Sequence, residues 1–236
     1  MTTRINLISG PRNISTALMY AFRSRPDTTV LDEPLFGAFL EKTGVDHPGR
    51  AETIASMNTD VQSVIHGQIL GAFDTPIVFI KNMGHHIAEF DDWSWLLEVR
   101  NVFLTRDPAE VLVSFSQNVP NPTIELTGFQ GQVRLQRYLR EAGRPAPVFD
   151  ARQILEDPRS TLEHLCHELN IPWDESMLSW EPGPKPEDGA WGPYWYERAW
   201  ASTGFQPYTP RDVEVPEELS DLLAACEALY SELRAG

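Results

Sequence analysis

Apolar residues in this chain fall into short runs that alternate with longer segments of helical spacing. Five short runs, bounded by polar or turn residues, predict buried strands at residues 5–9, 28–31, 77–81, 101–105 and 146–149. Apolar positions at helical spacing predict helices at residues 15–25, 60–73, 108–117, 123–142 and 159–170. Strands that alternate with helices favour an α/β fold, in which a parallel sheet of about five strands is covered by helices on both faces.

The last third of the chain has a different pattern. Residues 180–211 are rich in Pro, Gly and aromatic residues and follow neither a helical nor a strand period. This segment is too apolar for a disordered linker, so we expect an ordered, aromatic-rich loop over a site. Its aromatic side chains either line a pocket or pack onto the sheet. An amphipathic helix is predicted at residues 216–233, and the whole chain, residues 1–236, is expected to form one domain.

Composition limits the classes of partner. The chain has 19 Lys and Arg against 34 Asp and Glu, a formal net charge of −15, which argues against nucleic acid as a partner. No stretch approaches the ~20 apolar residues of a membrane span, and the start of the chain lacks the features of a signal peptide. The 2 cysteines have no metal-ligand spacing and are expected to be buried thiols. We therefore expect a cytoplasmic protein. Because salt screens the bulk charge, a few local cations are enough to mark the site of a small anionic ligand.

The first predicted strand ends in the turn SGPRN, residues 9–13, and a helix follows from about Ser15. Free N–H groups at the start of a helix bind anions, and Arg12 adds a fixed charge with bidentate geometry. Alternatively, Ser15 only caps the helix. A nucleoside triphosphate loop carries a lysine directly before its Ser or Thr, whereas Ser15 precedes Thr16 here. This difference disfavours an ordinary ATPase or kinase.

A second motif lies in the segment FLTRDPAEVLVSF, residues 103–115. Arg106 ends the fourth predicted strand, Pro108 starts a helix, and Ser114 lies eight residues after the arginine. With both motifs in this order, the chain resembles the sulfotransferases of the P-loop superfamily that use 3′-phosphoadenosine 5′-phosphosulfate (PAPS). That family has a loop similar to P-K-S-G-T-T, followed by a pattern similar to R-x-P-x-x-x-x-x-S. Residues 11–16 match the first position for position, with changes, and the second is matched in full.

The resemblance covers most of the chain and implies a P-loop-type parallel sheet. The segments SGPRNISTALMYAF, DEPL and GPKPEDGAWGPYWYERAWASTGF are similar to a bacterial sulfotransferase-like group, whose relatives also occur fused to aminotransferase-like proteins. The family chemistry implies transfer of a sulfuryl group from PAPS to a hydroxyl or amine, which leaves 3′,5′-ADP. The acidic composition favours a small-molecule acceptor over a highly sulfated polysaccharide.

The same resemblance implies the nucleotide-binding residues. The 5′-phosphosulfate is expected on the first loop, which consists of Gly10, Pro11, Arg12, Asn13, Ile14, Ser15 and Thr16. Arg106 and Ser114 are implied for the 3′-phosphate, and Lys185 is a looser match to a basic C-terminal segment with that role. The family lysine that follows charge onto the bridging oxygen is Arg12 here, so we expect Arg12 and Lys81 to stabilise that charge.

One carboxylate and two histidines are candidates for the catalytic base. Glu33 follows the second predicted strand and is the first candidate, since a nearby carboxylate takes up the proton of the attacking hydroxyl or amine. Alternatively, Glu33 is only a charge at the start of a helix. Family members that use a histidine carry it in a pattern similar to K-x-H, but here Lys81 is followed by Met83 in that place. The adjacent His85 and His86 are therefore the second candidates, with helix capping or support of another catalytic group as their alternative roles.

Two other functions fit parts of the sequence. A small-molecule kinase on the same fold would use Thr16 and Asp32 to hold Mg²⁺. A catalytically silent nucleotide-binding module is favoured by the change of the family lysine to Arg12. The sequence has no HExxH, paired CxxC or EF-hand pattern, so no metal site is expected. The identity of the acceptor and the oligomeric state are left open.

Overall fold

The structure, a computed structural model, describes residues 2–210 and 213–235. Its centre is a five-stranded, all-parallel sheet in the order β2-β3-β1-β4-β5. The strands are β1 (Thr3–Ser9), β2 (Thr28–Asp32), β3 (Ile77–Met83), β4 (Arg100–Thr105) and β5 (Val148–Asp150). All five predicted strands are confirmed, and the α/β class with them.

Twelve α-helical segments surround the sheet within the described part of the chain. They are α1 (Ser15–Arg23), α2 (Phe36–Thr43), α3 (Arg50–Ser56), α4 (Val61–Ser63), α5 (Gly84–Ala88), α6 (Pro108–Phe115), α7 (Phe129–Glu141), α8 (Ala151–Glu156), α9 (Pro158–Glu168), α10 (Gly192–Trp195), α11 (Glu197–Trp200) and α12 (Ser220–Ala235). A π-helical turn, Val64–Ile69, continues α4. Short 3₁₀ turns lie at Ser94–Glu98, Glu175–Leu178 and Glu217–Leu219.

Helices cover both faces of the sheet, as the sequence predicts. On one face, Ile5 and Leu7 of β1 and Phe79 of β3 belong to an apolar core with residues of α1 and α9. On the other face, Ile8 of β1 and Ile80 of β3 belong to a second core with residues of α7 and the π-helical turn. Because side chains alternate along a strand, strands buried on both faces need apolar residues at nearly every position.

The structure differs from the predicted helices in three places. The predicted helix at 60–73 is only the short α4 followed by the π-helical turn. The predicted helix at 123–142 begins at Phe129, because Gly128 before it takes φ +83°, which an α-helix cannot contain. Helices α2, α3, α5 and α8 are eight residues or shorter, so their sequences span too few turns to show a clear helical period.

The crossing of α5 and α7 requires two glycines. A Cβ atom on Gly131 would lie 2.7 Å from the carbonyl carbon and oxygen of Gly84, and a Cβ on Gly84 would lie 2.9 Å from Cγ of Gln132. The two backbones therefore approach more closely than any side chain allows. This contact fixes the start of α5, which carries His85 and His86.

The C-terminal aromatic segment has more local structure than the sequence predicts. Short helices α10 and α11 lie within it, and Trp191 and Tyr196 are buried. The predicted loop at 180–211 extends to residue 211, which lies outside the described residues, as do the first and last positions of the predicted domain. Within the described residues, no helix has the length and apolar character that crossing a membrane requires.

Candidate active site

A cavity of about 550 Å³ lies between the loops that follow β1, β2, β3 and β4 and the C-terminal aromatic segment. In an open parallel sheet, ligands bind at the carboxyl ends of the strands, and these loops leave those ends. Of the residues that the sequence predicts for the site, the cavity is lined by Pro11, Arg12, Asn13, Ile14, Ser15, Thr16, Glu33, Lys81, His85, His86, Arg106 and Ser114. The loop after β1, the Arg106–Ser114 motif and the candidates for the catalytic base thus all line the same cavity.

The loop after β1 lines this cavity from Pro11 to Thr16. Arg12 and Ile14 have φ values of 61° and 57°, in the left-handed region that non-glycine residues rarely adopt. Ile14 is the N-cap of α1, and no side chain caps the first turn of this nine-residue helix. Ser15 is therefore not the cap, and the first-turn N–H groups are available to a ligand. Together with the helix dipole, these groups favour an anion.

Buried amide side chains hold this loop to the sheet. Asn13 Nδ2 donates to the carbonyl oxygen of Leu104 at 3.1 Å. Gln132 Nε2 donates to the carbonyl oxygens of Ile8 and Leu104, each at 2.9 Å, and so ties the ends of β1 and β4 together. A Cβ on Gly10 would lie 3.0 Å from the carbonyl oxygen of Thr127, which leaves room only for glycine without a shift. These buried hydrogen bonds fix the loop after β1 against the ends of β1 and β4.

Three arginines gather at one end of the cavity. Arg12 Nε donates to Ser114 Oγ at 2.8 Å, and Arg106 donates to the carbonyl oxygen of Arg12 at 3.0 Å. Burial lowers the pKa of Arg12, and the neighbouring charges of Arg198 and Arg106 lower it further. Cations that are held against one another mark a place for a multiply charged anion. We call Arg12, Arg106, Arg198 and Ser114 the arginine cluster.

Arg198 was missed by the sequence reasoning. It lies on α11, in the exposed part of the aromatic segment, and lines the cavity. Lys185, which the sequence predicts for this role, does not line the cavity. Its ammonium donates to the carbonyl oxygens of Glu181 at 2.7 Å and Gly183 at 2.5 Å and lies over the ring of Tyr20. Lys185 and Arg198 both lie in the aromatic segment, so considering every basic residue there as a candidate would have included Arg198.

Arg106 also has an acidic partner. Glu110, in the first turn of α6, accepts from Arg106 Nε at 2.7 Å and from the hydroxyl of Tyr208 at 2.8 Å. The guanidinium has five N–H donors, and Glu110 and the Arg12 carbonyl occupy three of them. Two N–H groups of Arg106 therefore remain for a ligand while the ion pair with Glu110 stays intact.

A buried ion cluster lies on the other side of the cavity, where β2 and β3 end. Lys81 Nζ is 2.8 Å from Asp32 Oδ1, 2.5 Å from Glu33 Oε1 and 2.5 Å from the hydroxyl oxygen of Tyr196. The Tyr196 hydroxyl lies 2.9 Å from Asp32 Oδ2 and accepts from the indole N–H of Trp191 at 2.8 Å. The side chains of Lys81 and Asp32 are fully buried. We call Lys81, Asp32, Glu33 and Tyr196 the lysine cluster.

The lysine cluster changes the expected role of Lys81. An ammonium group has three N–H donors, and the three partners of Lys81 take all of them. In this arrangement Lys81 holds Glu33 in place and does not donate to a ligand. Burial alone would lower the pKa of Lys81, but the charges of Asp32 and Glu33 outweigh it and raise the pKa.

Glu33 has the properties of a base held in a strained position. Its φ is 45°, its carboxylate is bound by Lys81, and it lines the cavity. Burial raises the pKa of Glu33, Lys81 opposes this change, and Asp32 adds to it. A raised pKa makes the carboxylate a stronger proton acceptor. The carboxylate binds Lys81 rather than the free N–H groups of a helix, so the alternative of a helix-terminal charge does not describe it.

Two neutral histidines adjoin Glu33. His86 Nδ1 is 3.6 Å from Glu33 Oε2, and the His85 and His86 rings lie 4.4 Å apart. Burial, with a smaller effect of His47, lowers the pKa of His85 to about 3. Burial and the neighbouring His85, His47 and Lys81 lower the pKa of His86 well below its ordinary value. Both imidazoles are therefore uncharged at neutral pH.

The family comparison agrees with this geometry. The model of the sulfotransferase domain family matches residues 3–236, nearly the whole chain, and the chain belongs to that family. Two solved structures share its fold. The sulfotransferase domain from the curacin biosynthetic pathway has a TM-score of 0.58 at 15% identity over 98% of both chains. A sulfotransferase from Alicyclobacillus acidocaldarius has a TM-score of 0.53 at 13% identity, over 100% of this chain and 95% of the other.

Relatives with higher identity carry a different name. Branched-chain-amino-acid aminotransferase-like protein 2 of Arabidopsis thaliana is 39% identical over 230 residues, which are 98% of this chain and 41% of the plant protein. The corresponding protein 1 is 36% identical over 227 residues, 96% of this chain and again 41% of the plant protein. The chain thus spans about two fifths of the length of these relatives.

The lysine cluster predicts a large stability effect. Lys81→Met should lower the free energy of unfolding by about 3–5 kcal/mol at pH 7, because it leaves two buried carboxylates facing each other without a cation. The deficit should shrink at pH 5, because Glu33, whose pKa is raised by burial, takes up a proton more readily there. Chemical denaturation at both pH values measures the effect.

A matched control is Lys42→Met, which removes a half-exposed lysine that lies 3.6 Å from Glu89. It should change stability by no more than about 0.5 kcal/mol. A loss from Lys81→Met as small as that of the control would show that the cluster does not hold this end of the sheet.

Proposed function

We propose that this chain is a PAPS-dependent sulfotransferase that transfers a sulfuryl group to a hydroxyl or amine of a small-molecule acceptor. One observation carries the proposal: an anion-binding loop, an arginine cluster and a buried, lysine-held carboxylate line the same cavity. A nucleotide with phosphates at both ends needs the first two features. Sulfuryl transfer to a protonated nucleophile needs the third.

The residues at the cavity fit the nucleotide. The N–H groups at the start of α1, with the Ser15 and Thr16 hydroxyls beside them, suit the 5′-phosphosulfate. The arginine cluster suits the 3′-phosphate, which would take the N–H donors that Glu110 leaves free on Arg106. Arg12 donates to Ser114, so its guanidinium serves the 3′-phosphate side in this arrangement and not the bridging oxygen. The loop N–H groups remain to stabilise charge at that oxygen.

The reaction requires a proton acceptor on the acceptor side. When bound, PAPS supplies the sulfuryl group. Glu33, held by Lys81, receives the proton of the attacking hydroxyl or amine, and its raised pKa suits it to this step. The N–H groups before α1 face the charge that develops on the nucleotide side, and donors fixed in advance of the reaction are usually the largest contribution to such catalysis.

The phosphoryl-transfer alternative receives less support from the geometry. A kinase would need Asp32 to hold Mg²⁺, but the Asp32 side chain is fully buried and is bound by Lys81 and the backbone N–H of Gly189. The silent-module alternative rests on Arg12 replacing the family lysine. Against it stands the cluster that keeps Glu33 at the cavity, since a module that only binds nucleotide has no need of a strained, buried base.

Nucleotide binding provides the first test. Thermal unfolding with 3′,5′-ADP should show a rise in Tm, because a ligand at 100 times its Kd adds about 2.7 kcal/mol and each kcal/mol raises Tm by roughly 2–4 °C at this size. 5′-AMP, which lacks the 3′-phosphate, should give a much smaller rise at the same concentration. Arg106→Ala and Arg198→Ala should each reduce the preference for 3′,5′-ADP over 5′-AMP by roughly 10- to 100-fold in Kd, the worth of a charge-assisted hydrogen bond.

Arg137→Ala is the matched control, because Arg137 pairs with Glu232 on the surface. It should leave the preference unchanged, and so should Lys185→Ala. A rise in Tm with ATP–Mg²⁺ alone would favour phosphoryl transfer, and an unchanged preference in Arg106→Ala would contradict the assignment of the 3′-phosphate to the arginine cluster.

Glu33 is tested by turnover with ³⁵S-labelled PAPS and an acceptor selected from a panel of alcohols, phenols and amines. Glu33→Gln should lower kcat by about 10²- to 10⁴-fold, the usual contribution of a general base, and should leave the Kd of 3′,5′-ADP within twofold. In the wild type, kcat should rise with pH through an inflection above the ordinary range of glutamate, because the base must be deprotonated and its pKa is raised.

The exposed Glu125, changed to Gln, is the control and should behave as the wild type. If Glu33→Gln loses nucleotide affinity but keeps its turnover per bound complex, Glu33 is a structural residue.

A further inference from the structure

The helix that brings Arg198 to the cavity is a single turn. α11 spans Glu197–Trp200, and isolated helices of this length are not stable in water. Arg198 is also held near like charge, since burial lowers the pKa of Arg12 and the charge of Arg198 lowers it further. Two such cations repel each other when no anion lies between them. The position of Arg198 therefore depends on the contacts that hold the two ends of α11.

Hydrogen bonds anchor α11 at both ends. Tyr196, directly before the helix, belongs to the lysine cluster. At the other end, Trp200 Nε1 donates to Asp188 Oδ2 at 2.8 Å. The ring of Trp200 also packs against the apolar core beside α1, but apolar contacts have no preferred direction. The hydrogen bond to Asp188 therefore gives the indole, and with it the end of α11, a defined orientation.

The carboxylate of Asp188 joins α11 to α1. The hydroxyl of the buried Tyr20, on α1, lies 2.8 Å from each carboxylate oxygen, and Oδ2 also accepts from the backbone N–H of Lys185 at 2.7 Å. We call Tyr20, Asp188 and Trp200 the Asp188 bridge. None of these three residues lines the cavity, so the bridge acts on a ligand only through the residues that it holds. One of its ends is the helix whose first turn borders the cavity, and the other is the helix of Arg198.

We propose that Asp188 is a positioning residue that places Arg198 for the 3′-phosphate of the nucleotide. The inference rests on the proposed function, in which the 5′-phosphosulfate binds at the start of α1 and the 3′-phosphate at the arginine cluster. A nucleotide of fixed size contacts both places only when their separation matches the separation of its phosphates. The Asp188 bridge sets that separation, because it connects α1 to α11 through two side-chain hydrogen bonds. Without the carboxylate, repulsion from Arg12 moves Arg198 away from the cluster.

Titration calorimetry with 3′,5′-ADP and 5′-AMP tests this role, because the two ligands differ only in the 3′-phosphate. Asp188→Ala should reduce the preference for 3′,5′-ADP by roughly 5- to 20-fold in Kd, since it displaces one charged donor, and should leave the Kd of 5′-AMP within about twofold. In the Arg198→Ala background, Asp188→Ala should change the preference by less than about twofold, because the residue that it positions is already gone. A general loss of structure would weaken 5′-AMP as well and would persist in that background.

Two milder variants and a matched control accompany this measurement. Tyr20→Phe keeps the ring and removes only the hydroxyl that ties Asp188 to α1, so it should reduce the preference in the same direction. Asp188→Asn keeps an oxygen that accepts from the Trp200 indole, so it should retain more of the preference than Asp188→Ala. Tyr230→Phe is the control, because it removes a hydroxyl that also donates to an aspartate, Asp150, at 2.6 Å, but lies on α12, outside the cavity. It should leave the preference unchanged.

The outcomes separate this inference from the proposed function. If the preference for 3′,5′-ADP survives in Asp188→Ala and Tyr20→Phe, or falls equally in the presence and absence of Arg198, the inference is wrong and the sulfotransferase proposal stands. If Arg198→Ala keeps the preference and Arg106→Ala loses it, the inference is also wrong, while the nucleotide site remains. If Asp188→Ala does not fold, Tyr20→Phe decides by the same comparison with and without Arg198. If the wild type binds neither ligand, both the inference and the proposed function are wrong.

Discussion

The contact of Lys81 with Asp32, Glu33 and Tyr196 is the constraint on which the end of the cavity at β2 and β3 depends. It joins the ends of β2 and β3 to the C-terminal aromatic segment through one buried ammonium group. Burying charges is unfavourable unless each has partners, and here a network of four polar side chains and the indole of Trp191 supplies them. The same contacts hold Glu33 at a φ of 45°, which is unfavourable for an isolated residue. The position of Glu33 at the cavity and the attachment of the C-terminal aromatic segment to the sheet thus have one physical cause.

The other end of the cavity, at the loop after β1 and the arginine cluster, is built on a different principle. There the backbone provides the donors, through a loop with two left-handed residues and a helix start that no side chain caps. Positive charge is added there by the three arginines of the arginine cluster, all of which line the cavity. In a chain with a net charge of −15, this gathering of cations creates a local field that the bulk charge does not cancel. The arginine cluster thus gives this end of the cavity a positive charge, which suits the anionic donor of the proposed reaction.

The sequence predicts the sheet well because its strands are short apolar runs bounded by polar residues, the pattern of strands that helices bury on both faces. It also brings Arg12, Glu33, Arg106 and Ser114 to one edge, since the carboxyl ends of parallel strands meet there. Contacts between segments that are distant in the sequence could not be predicted in this way. Nothing near Lys81 in the sequence indicates that Tyr196, 115 positions later, would take its third N–H group. For the same reason the sequence points to Lys185 and not to Arg198, although it is Arg198 that lines the cavity once the aromatic segment folds.

A crystal structure of the chain with 3′,5′-ADP tests the central claim most directly. The account predicts that the 5′-phosphate oxygens accept from the N–H groups at the start of α1, that the 3′-phosphate contacts Arg106, Arg198 and Ser114, and that the carboxylate of Glu33 stays on Lys81 and faces the 5′-phosphate. A nucleotide bound in the opposite direction, with its 3′-phosphate away from the arginine cluster, or a Glu33 turned out of the cavity, would contradict it.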